Sequence, residues 1–217
     1  MTESGDDERT TDSAADASKP PSDGAGQRAG LLLLTGLRAH RYYAAAAAVV
    51  LLAAIPVGWL LQERGVALST LPLPRTGSVL YPQQRSIPSI LGPGTEMLSL
   101  LVVGAATAGA LTLVGLLTQG LLVGSFLGAS GSLGVGYLTL SLLPHGLFRV
   151  AAFVLAAAVS FRFVACGFAW IVGRRERFQY PIEWRQAGLV LGLAWLCLAV
   201  SALIEVTVTF RLLDLVF

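Results

Sequence analysis

Four ionisable side chains, His145, Arg149, Arg162 and Glu205, stand within or at the ends of the last two apolar stretches of this chain, 146–172 and 187–210. A guanidinium and a carboxylate there can form a charge-assisted pair. A histidine beside a serine can serve as a general base. Ser130, in Gly128-Ala129-Ser130-Gly131, precedes His145 by 15 residues. Acyl chemistry would need its Oγ within about 3 Å of an imidazole nitrogen. No HExxH, no phosphate loop and no cluster of acids for a metal is present. Cys166 and Cys197 have neither metal-ligand nor redox spacing, so they read as ordinary apolar thiols. No metal and no cofactor is expected.

The GxSG tetrad resembles the nucleophile motif of rhomboid intramembrane serine proteases. Such proteases place their histidine on a separate, later helix, and nothing else here resembles their helices. In so Gly- and Ala-rich a segment the tetrad arises easily by chance. A protease therefore ranks below the other readings, and no catalytic residue is assigned.

The elements that must hold these residues are set by a longer pattern. Residues 97–143, 47 in all, contain no charge. As helix they would extend roughly 70 Å, against about 30 Å for a bilayer's apolar core. That is too long for one crossing and enough for two. Hydrophobic residues make up 54% of the chain, charged residues 13%, and mean hydropathy is +0.70. A soluble domain carries about 25% charged residues, so a soluble fold is excluded. Residues 1–24 hold seven acids and two bases, and the remainder six acids and thirteen bases. Residues 1–28 are too polar to offset their ordering entropy and read as a disordered acidic tail. They lack the basic start and apolar core of a signal peptide.

The rest, 29–217, is expected to be an all-α transmembrane bundle with crossings at about 41–61, 96–118, 120–143, 146–172 and 187–210. Residues 31–40 are too short to span and read as a surface segment; His40 beside Arg38 and Arg41 reads as interfacial. Residues 62–95, with five prolines in 72–93, read as a long external loop and a candidate partner surface. A break at Gln119-Gly120 divides the second and third crossings. Five crossings put both arginine-rich segments on the cytoplasmic side, with the N-terminus inside and the C-terminus outside. Four crossings would turn the cluster at 174–185 outward, so five is preferred.

In that frame Arg149 and Glu205 lie at matching depths near the outer ends of the last two helices. A pair between them is expected, because a lone charge in lipid costs roughly 2.5–3.5 kcal/mol. Arg162 is deeper, and backbone carbonyls or Gln119 are its expected partners. Small residues at 104, 108, 112, 115, 120, 124 and 128 have the spacing of tight helix contacts, within the chain or with another subunit.

Three segments resemble the stage II sporulation protein M (SpoIIM) family. Leu142-Leu143-Pro144-His145-Gly146-Leu147-Phe148-Arg149 resembles its PHGxxE signature, Gln119-Gly120 through Gly124 its NGxxxG turn, and Ala202-Leu203-Ile204-Glu205 its helix closing on a glutamate. Two positions depart from the pattern: Arg149 stands for the glutamate and Gln119 for the asparagine. The resemblance implies a multipass membrane protein without known catalytic activity. In spore formers the family member anchors a complex with peptidoglycan-degrading enzymes. The expected function is thus a cell-membrane scaffold that recruits or positions partner proteins. Its expected surroundings are the lipid bilayer and other membrane or envelope proteins, a second copy included, and no nucleic acid. Pro144 and Gly146 are expected to make a sharp turn into the fourth helix, with His145 capping or hydrogen-bonding at the outer end of the bundle. The alternative is a small transporter or channel component, with Arg162 lining its path.

Overall fold

The computed structural model describes residues 24–66, 87–129 and 135–209. Among these residues the chain is helical, without strands. Helix α1 spans Gly24–Glu63, α2 Ile87–Val103, α3 Ala110–Ala129, α4 Val135–Ile171 and α5 Pro181–Ile204. A short 3-10 turn, Gly104–Thr107, extends α2, and a π turn, Glu205–Thr209, extends α5. Among the described residues, five segments are long and apolar enough to cross a membrane. The protein is therefore a multipass membrane protein.

Local chemistry explains the helix ends. Alanine and leucine, the best helix formers, dominate α1. It stops at Gly65, whose φ of +73° an L side chain adopts only with strain. There the Val66 N–H donates to the Leu61 carbonyl and the Gly65 N–H to that of Gln62, satisfying carbonyls the helix leaves open. The same pattern ends α4 at Gly173. Helix α5 begins with Pro181 in its first turn, and Glu183 accepts a hydrogen bond from the Tyr180 N–H at 2.9 Å.

Close approaches give the relative directions. Gly120 faces Leu51, Gly124 faces Ile55 and Gly128 faces Gln62, so α3 runs parallel to α1. Met97 meets Gly115 while Gly104 meets Thr112, so α2 runs antiparallel to α3. Arg162 meets Glu183 while His145 meets Ser201, so α4 runs antiparallel to α5. This alternation is what successive crossings require. The core lies where the five helices meet, around Leu51, Met97, Leu101, Leu116, Ala156 and Leu198.

Several expected boundaries move. Residues 87–95 are helix, not loop: Pro88 stands in the first turn of α2, where its missing N–H costs nothing, and Pro93 is tolerated inside it. The chain then reverses direction earlier than expected, at Ala108 and Gly109, whose φ values are 52° and 86°. Gln119-Gly120 is consequently the middle of α3, not a break, and the third crossing is 110–129 rather than 120–143. Helix α4 starts at Val135 and runs through Pro144-His145-Gly146, so these residues make no sharp turn. Pro144 removes one backbone hydrogen bond, a loss that packed membrane helices tolerate. Residues 31–40 continue into α1, which at 40 residues is about 60 Å long, twice the apolar thickness. Most of the expected tail (1–23), the middle of the expected loop (67–86) and Ser130 lie outside the described residues.

Candidate functional site

Two polar clusters join the helices, one towards each end of the bundle. Residues i and i+4 of a helix share a face. His145 and Arg149 of α4 thus face Ser201 and Glu205 of α5, and all four are buried. Arg149 Nη2 donates to Glu205 Oε2 at 2.9 Å, the pairing expected from depth alone. His145 Nε2 lies 3.9 Å from the same oxygen, and its backbone carbonyl accepts a hydrogen bond from Ser201 Oγ at 2.9 Å. Glu205 opens the π turn, a widened turn often found at functional positions.

The second cluster corrects the expectation for Arg162. Its partners are neither backbone carbonyls nor Gln119. Arg162 Nη2 lies 3.3 Å from Glu183 Oε1, and Nη1 lies 3.5 Å from Gln186 Oε1. The missed acid is Glu183: because α5 begins at Pro181, its carboxylate belongs to the first helical turn. The signal in the sequence was Tyr180-Pro181-Ile182-Glu183, a proline start followed by an N3 acid. Arg175 Nη2 donates to the same carboxylate oxygen at 2.8 Å, and this bond holds the Arg175 guanidinium above its usual pKa.

His40 does not face outward. It is 2% exposed and turned inward from α1 against Arg162 of α4. Its Nδ1 lies 2.7 Å from the Gly36 carbonyl and 3.3 Å from Arg162 Nη1. The shorter contact requires the proton on Nδ1, which leaves that nitrogen no lone pair for Arg162.

A third tie was not anticipated. Thr112 Oγ1 donates to the Leu101 carbonyl at 2.9 Å and meets Ser160 Oγ at 2.6 Å, joining α3 to α2 and α4. Gln119 is buried in α3, and its Nε2 has no partner among the described residues. Gly120 and Gly124 face α1, where an added Cβ would meet the Leu51 and Ile55 carbonyls. Cys166 and Cys197 are free thiols. No group of metal-ligating side chains occurs among the described residues.

The sequence reading placed Glu96 at the head of the second crossing, 96–118. With α2 beginning at Ile87, Glu96 is the tenth residue of the 21-residue span Ile87–Thr107. It is exposed on the outer surface of the bundle.

The elements now placed correspond to a recognised pattern. No curated protein and no solved structure matches the chain. The family described as stage II sporulation protein M (SpoIIM) matches residues 47–210, from the middle of α1 to the end of the π turn. That match covers most of the sequence and every described polar cluster except His40 and its Gly36 partner, and the chain belongs to the SpoIIM family.

Proposed function

We propose that the protein is a membrane scaffold that recruits or positions partner proteins and has no catalytic activity of its own. The observation that carries this reading is the use made of the inward-facing charges. Arg149 with Glu205, and Arg162 with Arg175 and Glu183, bind helix to helix. Such groups serve assembly of the bundle rather than turnover of a substrate. Membership of the SpoIIM family supports the same reading. The N-terminus lies on the cytoplasmic side and the C-terminus outside. Arg28, Arg38 and Arg41 share an end of the bundle with Arg174, Arg175, Arg177 and Arg185, as positive-inside placement favours.

A transporter would need Arg162 to line an open path, whereas this side chain is held by Glu183 and Gln186. The test of the scaffold reading is crosslinking in native membranes followed by purification of the tagged chain. A reproducible set of membrane or envelope partners is the expected result. Recovery of the chain alone would sink it and favour flux measurements on vesicles with Arg162→Ala as the comparison.

A further inference from the structure

Helix α2 has two unlike faces. Ile90, Gly94, Met97, Leu98 and Leu101 are buried in the bundle. The opposite face, at helical spacing, carries Pro88, Gly92, Thr95, Glu96 and Ser99, which with Leu91 line a shallow groove of about 640 Å³. Glu96 stands near the middle of the apolar span Ile87–Thr107 and makes no hydrogen bond or ion pair among the described residues. A carboxylate facing hydrocarbon costs roughly 2.5–3.5 kcal/mol, and such residues are almost always turned towards protein or water. Something therefore covers this face.

The chemistry of the face selects its occupant. Thr95 Oγ1 donates to the Leu91 carbonyl and Ser99 Oγ to the Thr95 carbonyl. Both hydroxyl hydrogens are engaged, and what remains outward is the Glu96 carboxylate and two hydroxyl oxygens, all acceptors. The complement is a group that is both cationic and donor-only, which among permanently charged side chains is lysine or arginine. A second copy would set acceptor against acceptor and carboxylate against carboxylate. Its two deep cations, Arg149 and Arg162, are held by Glu205 and Glu183. Arg85 of this chain lies outside the described residues, and the crosslinking test below separates it from a partner's cation. Gly92 has open space before it, so a neighbouring helix can approach closely there.

We propose that the Gly92–Thr95–Glu96–Ser99 face of α2 docks a transmembrane helix of another protein that carries a lysine or arginine at mid-bilayer. The proposal rests on the scaffold reading and names the surface and the partner's chemistry.

The first test uses the full-length chain in phosphatidylcholine vesicles with synthetic leucine–alanine transmembrane helices bearing a central Lys, Leu or Glu. Energy transfer between labels reads association. The lysine helix is expected to bind about ten-fold more tightly than the leucine helix, as one interhelical hydrogen bond allows. Glu96→Gln removes that preference, and Glu96→Lys transfers it to the glutamate helix. Gly92→Leu, at a position where an added Cβ meets nothing within 4 Å among the described residues, blocks the lysine helix. Equal binding of the lysine and leucine helices to the unaltered chain overturns the proposal, as does association of two copies that Glu96→Gln abolishes.

The second test places a photocrosslinker at Ser99 in native membranes. An adduct with a protein whose crosslinked helix carries a central cation, lost in Glu96→Gln, is expected. An adduct within residues 67–86 of the same chain overturns the proposal. Partners that co-purify equally with the unaltered chain and Glu96→Gln overturn it while leaving the scaffold reading intact; no partner with either overturns both.

Discussion

Arg149 and Glu205 show how one residue change is absorbed. The SpoIIM signature resembled by Pro144-His145-Gly146 has a glutamate where this chain has Arg149, and that glutamate would face Glu205 carboxylate to carboxylate. Arginine turns the meeting into a 2.9 Å ion pair. Removing one member of a buried pair costs about 3–5 kcal/mol, so Glu205→Gln should lower the unfolding midpoint of the purified protein in detergent markedly. Arg149→Glu should be worse, and the exchange Arg149→Glu with Glu205→Arg should restore most of the loss. An unchanged midpoint in Glu205→Gln would remove the pair from any account of stability. Thr112 makes the smaller tie. Thr112→Val keeps the shape but loses the contacts to Leu101 and Ser160, and about 1 kcal/mol should go with them, measurable in the same assay.

Helices α1 and α3 meet at the scale of elements, and glycine sets their distance. A Cβ at Gly124 would run into the Ile55 carbonyl, and one at Gly58 into that of Leu121. These are backbone atoms in regular helices, which cannot turn aside as a side chain can. Gly124→Ala should therefore force α1 and α3 apart and reduce the yield of folded protein. Gly188→Ala in α5 meets nothing within 4 Å and should be neutral or stabilising, because alanine is the better helix former by about 1 kcal/mol. Comparing the two by size-exclusion profile and unfolding midpoint checks the packing. Equal behaviour would mean that the helices do not approach this closely.

The whole molecule has one arginine-rich end, and aromatic rings gather beside it. The Phe163 and Trp184 rings lie 5.1 Å apart, and those of Trp170 and Phe178 6.3 Å apart. Tryptophan rings mark a membrane–water boundary, and the basic residues make it the cytoplasmic one in the proposed orientation. In a background without Cys166 and Cys197, a cysteine replacing Glu176 should react with an impermeant maleimide only after the cells are opened. One replacing Arg64, just beyond the other end of α1, should react in intact cells. The reverse pattern would invert the proposed orientation.

Much of this molecule was legible in its order of residues. The uncharged stretch 97–143 dictates a membrane environment, because no soluble fold hides so much apolar surface. Matching depth from the helix ends was enough to pair Arg149 with Glu205, since an unpaired charge in lipid is costly. Proline misled the reading in two places: at 88–93 it stands inside a helix rather than a loop, and at 144 inside α4 rather than at its start. Within a packed bundle, neighbouring helices and local adjustments can re-satisfy the backbone groups that proline frees. The side chains that meet across helices, Arg162 with Glu183 and Thr112 with Ser160, depended on where α2 turns into α3 and where α5 begins. A shift of a few residues rotates a helix by whole faces. Hydropathy measures how apolar a segment is but not which way it points. Tertiary packing alone therefore decided that His40 turns inward and that Glu96 turns outward.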